Sequence, residues 1–421
     1  MRKIDTGRLK EDAYYTKLPN GLMVYLIKKS GYSEKAAFLG VNYGSANIEY
    51  EIDGNKRDIP LGTAHFLEHK LFDLPDGRNT LQMLSQMGAS PNAFTSRSAT
   101  AYYFTCIDNF KSALELLMEF VFTPYFTAES VEKEQGIIAQ EISMRLDMPE
   151  ARVFDELFAA LYKNHPVRHP VIGTHDSIKT ITDKTLHECY SAFYRPSNMV
   201  LVVVGDLEPD EIEEIALRMS PENTSRVRNI VCDEPLEVAE YEKIISMNVP
   251  QTMFSLGIKL VPQSDRQLWE NNCNLALTAL IKPLSRLYGE LYDNGLIDSG
   301  FSCAPLMFDA GGLLYLFGRS DDPQAVRDAV VEEIDVLSGG FADNQLFERV
   351  LRTAWGDCLR ESDDPSALAR SVGLNYLSGN DYFNLPNVFD EANSGSLCSL
   401  FSNMRHTSLV VCKSNKEDNN V

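Results

Sequence analysis

Period-two hydrophobic stretches give way to longer stretches of helical period along this chain, and the change happens twice. Tyr14-Tyr15-Thr16-Lys17-Leu18 and Leu22-Met23-Val24-Tyr25-Leu26-Ile27 flank Asn20-Gly21, so residues 14–28 read as a hairpin closed by a tight turn. A third strand is expected at 36–43, and the charged stretch 47–58 reads as a loop. The spacing then predicts helices over 62–72 and 79–87, strands at 90–95 and 100–106, and helices over 110–122, 127–146, 150–163 and 183–193. A loop rich in His and Pro occupies 164–174, and Met199-Val200-Leu201-Val202-Val203-Val204 is a returning strand.

The polar, acidic segment 221–242 reads as a linker, after which the order repeats. Thr252-Met253-Phe254-Ser255-Leu256-Gly257-Ile258 answers Ala37-Phe38-Leu39-Gly40-Val41. A long helix at 266–293, strands near 298–304 and 311–318, helices at 322–337, 343–361 and 365–377, and a strand at 408–412 follow. Asp147-Met148-Pro149-Glu150-Ala151 set against Asp363-Asp364-Pro365-Ser366-Ala367 pairs residue n with n+216. The expected fold class is therefore α+β: two structurally similar α/β sandwich-layer halves, each an antiparallel-rich sheet packed by helices. The boundaries place an N-terminal domain at 1–220, the linker at 221–242, and a duplicated C-terminal domain at 243–421.

Composition narrows the function. At 421 residues the chain exceeds what one core organises. Sixty acidic residues against 39 basic ones give a net charge of −21, which argues against nucleic acid or a membrane as main partner. Met1-Arg2-Lys3-Ile4-Asp5-Thr6 lacks an apolar core behind its basic residues, so no signal peptide is expected, and no apolar run reaches bilayer length. Eight scattered cysteines without a C-x-x-C pair fit a reducing, cytoplasmic setting.

Chemistry concentrates in Pro60-Leu61-Gly62-Thr63-Ala64-His65-Phe66-Leu67-Glu68-His69-Lys70-Leu71-Phe72. His65, Glu68 and His69 share one helical face, where two imidazoles one turn apart grip a single ion and the carboxylate between them reaches a water. This is the H-x-x-E-H order. Two core histidines satisfied by carbonyls, beside a Glu held by an Arg, would be the purely structural alternative. On the helix 127–146, Glu134 and Glu141 lie two turns apart on a face that also carries Ile137 and Ile138. Glu141 would complete a two-His, one-carboxylate zinc site with an open position, and Glu134 would orient a ligand imidazole. Under the n+216 register Glu141 meets Asp357 and Glu134 meets Val350, while 268–274 contains no His, so only the first half can hold the metal.

H-x-x-E-H followed 72 residues after its last His by a Glu, with another Glu seven residues earlier, resembles the pitrilysin, insulinase and mitochondrial-processing-peptidase family of zinc metallopeptidases, in its short bacterial branch. Gly88-Ala89-Ser90-Pro91-Asn92-Ala93-Phe94-Thr95, His165-Pro166 with Ile172-Gly173-Thr174, and Phe193-Tyr194-Arg195-Pro196-Ser197-Asn198-Met199 support the resemblance. It implies one zinc per chain on His65, His69 and Glu141, Glu68 as general base, Glu134 as the supporting carboxylate, and a peptide pairing along Asn92 and Ala93. It also implies a chamber closed by a second homologous subunit, either a copy of this chain or a metal-free relative. The substrate-contacting Arg/Tyr pair of the family has no clear counterpart; Tyr315 and Arg319 are weak candidates. The expected activity is cleavage of small, extended peptides, basic ones if net charge governs entry. The alternative is an inert, peptide-binding or scaffolding subunit. His165 and His169 read as loop packing, and His175, His187 and His406 stand alone.

Overall fold

A computed structural model describes the chain except for residues 53, 223–226, 231, 309–310, 342–343 and 415–421. Parts of the expected linker, and residues 53 and 343 of the expected loop and helix, thus lie outside the described residues. In chain order the strands are β1 (Arg2–Lys3), β2 (Asp12–Lys17), β3 (Met23–Lys28), β4 (Lys35–Val41), β5 (Glu49–Ile52), β6 (Asn55–Asp58), β7 (Ser90–Thr95), β8 (Thr100–Cys106), β9 (Met199–Gly205) and β10 (Val227–Asn229). They continue with β11 (Glu242–Met247), β12 (Met253–Leu260), β13 (Ser302–Phe308), β14 (Gly311–Arg319) and β15 (Thr407–Ser414). The helices are α1 (Thr63–Lys70), α2 (Thr80–Gln86), α3 (Phe110–Phe122), α4 (Ala128–Leu146), α5 (Pro149–Leu161), α6 (His175–Ile178), α7 (Asp183–Phe193) and α8 (Pro209–Met219). After them come α9 (Arg266–Ile281), α10 (Arg286–Asp293), α11 (Pro323–Ser338), α12 (Asn344–Ser362), α13 (Pro365–Leu377), α14 (Leu385–Glu391) and α15 (Ser394–Ser402).

Two compact units result, and neither is a continuous stretch of chain. The first comprises Met1–Ile142, Pro170–Ile230 and Leu359–Pro386; the second comprises Ser143–His169, Val231–Cys358 and Asn387–Val421. A single cut at 221–242 therefore does not separate them, because α5 belongs to the second unit and α13 to the first. The crossings obey the internal register: Ile142 and Cys358, the last residues before each, are 216 positions apart.

The first unit has a seven-stranded sheet in the order β1-β2-β3-β9-β4-β8-β7. The second has five strands in the order β11-β15-β12-β14-β13. Directions repeat as well. β3 runs parallel to β9 and β4 antiparallel to both neighbours; β11 runs parallel to β15 and β12 antiparallel to both of its own. The central strands β9 and β12 are buried along their whole length, because a helix covers the face that a two-layer fold would leave wet.

Those covering helices are the exchanged ones. α13 packs on β4 and β9, and α5 packs on β12 and β15. Each approach depends on a strand glycine: a Cβ at Gly40 would lie 2.8 Å from a Leu377 methyl, and one at Gly257 would lie 2.5 Å from a Leu161 methyl. Leu161 and Leu377 are again 216 residues apart.

Three expectations fail locally. The stretch 47–58 is no loop, since β5 and β6 pair Tyr50 with Arg57 and Glu51 with Lys56 across a turn at Gly54. Its charged residues hid the period-two signal; of the described residues in the ribbon, Tyr50 alone is fully buried. The long helix at 266–293 breaks into α9 and α10 at Pro283, after which Ser285 caps α10 by accepting the Tyr288 N–H at 3.1 Å. Finally, α6, α8, α14 and α15 form in stretches for which no helix is expected.

Candidate metal centre

Helix α1 starts at a point only glycine can occupy. Gly62 has φ +90°, and a Cβ there would sit 2.6 Å from the Ile172 carbonyl oxygen. The Thr63 hydroxyl donates to the Pro60 carbonyl at 2.7 Å, and the Ser177 hydroxyl donates to the Leu61 carbonyl at 2.8 Å. The loop carrying Ile172-Gly173-Thr174 thus buttresses the helix. Phe66, Leu67 and Leu71 are wholly buried in the core of this unit, which fixes the rotation of α1 about its axis. His65, Glu68 and His69 are then left for a different face.

That face meets α4. Val131, Ile138 and Ile142 hold α4 in the core, and Glu134 and Glu141 project toward the imidazoles. Glu141 Oε1 lies 3.7 Å from His65 Nε2, and Glu141 Oε2 lies 3.6 Å from His69 Nε2. One ligand atom from each of the three residues falls within 4.8 Å of the others. Such separations are long for hydrogen bonds but suit donors around a shared ion, since zinc bonds of about 2.0–2.2 Å at tetrahedral angles space donor atoms roughly 3.4 Å apart. The donor set, two imidazoles and one carboxylate, also suits zinc. These residues fit a metal.

Two further carboxylates, Glu134 and Glu68, lie beside them. His69 Nδ1 lies 3.0 Å from Glu134 Oε1, leaving Nε2 directed at Glu141. Burial works to lower the His69 pKa, but the Glu134 carboxylate, aided by Glu141 and Glu68, outweighs it and holds the value above the ordinary one. Glu68 is only 9% exposed. Burial pushes its carboxyl above the usual carboxylate range, while the Thr95 hydroxyl, donating to Oε2 at 2.6 Å, pulls the other way. A cleft of about 570 Å³ opens beside the cluster, lined by Glu68, His69, Glu134, Ile137, Asn92 and Ala93 among others. Asn92 and Ala93 belong to β7, the edge strand of its sheet.

All the residues singled out around the metal motif therefore meet in the first unit. The remaining candidates, Tyr315, Arg319 and His165, belong to the second unit. Tyr315 is half-buried in the second unit, edge-on to Phe154 with ring centres 5.1 Å apart, and Arg319 reaches Glu150 at 3.9 Å. His165 is buried, accepts the Val167 N–H at 3.1 Å, and has its pKa pushed down to about 4 by burial, as loop packing requires. Two neighbours of the cluster carry no signal in the sequence. Thr95 ends a quoted motif, but nothing in its spacing points at Glu68. Lys70, 1% exposed, is held by Asp73 at 2.6 Å and lines the cleft.

Known proteins resemble this chain in sequence and fold. The sequence profile described as "Insulinase (Peptidase family M16)" matches residues 38–175, and that described as "Peptidase M16 inactive domain" matches residues 180–353. The uncharacterized zinc protease YmfH of Bacillus subtilis is 35% identical over 382 residues, 88% of each chain. The probable mitochondrial-processing peptidase subunit beta of Arabidopsis thaliana is 29% identical over 256 residues, 58% of this chain and 46% of that one. The crystal structure of an M16-like peptidase from Alicyclobacillus acidocaldarius superposes with a TM-score of 0.92 at 28% identity, covering 97% of this chain and 100% of the other. Among the described residues no helix is long and apolar enough to cross a membrane.

Proposed function

Because the chain belongs to the insulinase family, peptidase family M16, we propose that it is a zinc-dependent endopeptidase acting on extended peptides laid along β7. The observation that carries this reading is the convergence of His65, His69 and Glu141 beside a carboxylate, Glu68, that none of them needs as a ligand. Zinc held by His65, His69 and Glu141 would supply Lewis acidity to a water and to the scissile carbonyl. Glu68 takes the proton from that water and returns it to the leaving amine, a role that suits a carboxyl whose pKa burial has raised. Glu134 keeps the His69 ring in the tautomer that presents Nε2. The unpaired edge of β7 offers backbone groups to an extended substrate beside Asn92 and Ala93.

A second homologous subunit closes the working chamber, in keeping with relatives named as subunits of a processing peptidase. Basic peptides enter most readily, given the charge of −21. The inactive-domain profile matches residues 180–353, which include 231–353 of the second unit, and so favours a scaffolding role for that unit; an inert chain as a whole is the competing reading.

One experiment separates them. Purified chain, alone and mixed with a metal-free homologue, is assayed for zinc content and for cleavage of a quenched peptide. Glu68→Gln is expected to keep zinc and lose about 10²–10⁴-fold in cleavage rate. Retained cleavage in Glu68→Gln defeats the base assignment, and zinc-bound chain that never cleaves, with or without the homologue, supports the inert reading.

A further inference from the structure

We propose that Thr95 is a positioning residue: it holds the Glu68 carboxylate in its working orientation and ties that orientation to the strand on which the substrate lies. The inference rests on the peptidase reading above and assigns one of its unexplained parts.

Thr95 is the last residue of β7, directly opposite Thr100 of β8. Its hydroxyl donates to Glu68 Oε2 at 2.6 Å, the span of a strong charge-assisted bond. Glu68 Oε1 is left for the reacting water. A general base with a rotatable carboxyl loses time in useless rotamers unless something pins it, and here a single hydroxyl does so.

Thr95 is itself unusually well fixed. The turn after it is locked by the Ser96 N–H donating to the Ala99 carbonyl at 2.8 Å and by the Ala99 N–H donating to Ser96 Oγ at 2.9 Å. The Ser45 and Ala46 N–H groups donate to the carbonyls of Ser96 and Arg97 at 3.0 and 2.9 Å. Opposite, the Thr100 hydroxyl donates to the Tyr43 carbonyl at 2.9 Å and approaches the Thr95 hydroxyl at 3.4 Å. The strand that would receive the peptide at Asn92 and Ala93 thus ends in the group that aims the base. A substrate bond formed along β7 steadies the same backbone that carries Thr95.

The test compares wild type, Thr95→Val and Thr95→Ser as full-length, zinc-loaded proteins, reading kcat and KM on a quenched peptide, zinc content, melting temperature, and the Glu68 rotamer in crystals. Thr95→Val should lower kcat about 10–100-fold with KM changed less than about twofold and zinc unchanged, and Thr95→Ser should recover most of the loss. In Thr95→Val crystals the Glu68 carboxylate should have left its wild-type rotamer. A Thr95→Val protein with wild-type kcat, or a loss confined to KM, overturns the proposal. Should wild type bind zinc but cleave nothing, the peptidase reading fails separately, and the crystals still decide: an unmoved carboxylate in Thr95→Val overturns the positioning role, a rotated one upholds it.

Discussion

The two units share strand order, strand direction and a covering helix, yet they handle their clustered carboxylates differently. In the first, Glu68, Glu134 and Glu141 gather around two imidazoles in an arrangement that leaves room for a cation. In the second, Glu234 is satisfied by the protein alone: Lys259 Nζ donates to it at 2.6 Å, and the N–H groups of Lys163, Asn164 and His165 donate at 2.8–3.0 Å. At the register position of Glu134 the second unit has Val350, fully buried, and at that of Glu141 it has Asp357, exposed. A fold of this kind is therefore a scaffold on which a site is grafted by a few substitutions, and copying the scaffold does not copy the site.

The largest effect should come from breaking the grafted part. Glu141→Ala is expected to take zinc from one per chain to almost none and to cut cleavage by at least about 10³-fold, whereas Asp357→Ala should leave both unchanged. Metal analysis beside the peptide assay checks the pair; equal losses in the two variants would refute the division of labour. Glu134→Gln should weaken zinc about 10–100-fold, read by competition with a chelator, with cleavage returning in excess zinc. An unchanged affinity would remove Glu134 from its supporting role.

Scaffold changes should be smaller and should reveal how alike the units are. Gly373→Ala places a Cβ 2.3 Å from the Phe38 ring, which cannot yield, and is expected to cost about 1–3 kcal/mol in denaturant unfolding. Gly257→Ala meets flexible methyl ends, of Leu161 at 2.5 Å and of Leu157 at 3.2 Å, and should cost less. The reverse order would show that the strand, not the helix, sets the tolerance.

The smallest effect concerns pH. Burial alone would raise the Glu234 pKa, but the Lys259 ion pair and the three N–H donors reverse this and hold it below the ordinary carboxylate value. A depressed folded-state pKa stabilises above the unfolded value of about 4.3, and the contribution fades as pH falls through the folded value. Glu234→Gln should flatten the unfolding curve in that acid window and nowhere else, as followed by circular dichroism. A curve that keeps its wild-type slope there would show that other carboxyls carry it.

Much of this was legible in the residues. The H-x-x-E-H spacing, the seven-residue step from Glu134 to Glu141, and the 216-residue register are local patterns that survive any packing. Helices α3 and α7 fall where the periodicity put them, because their apolar faces are long and regular. What could not be read depends on distant partners. Nothing near Thr95 announces Glu68, 27 residues away, and nothing in α5 or α13 announces which sheet each will cover. β5 and β6 escaped notice because a ribbon with little buried surface leaves little hydrophobic signature.

The exchanged helices carry a consequence for how the protein is made. A nascent chain that has completed β9 at Gly205 already owns every strand of its larger sheet, but the helix that shields that sheet is not translated until Leu377. The N-terminal part therefore emerges from the ribosome with an apolar face bare, and severing the chain between the units would yield two sticky fragments, each withholding the other's lid.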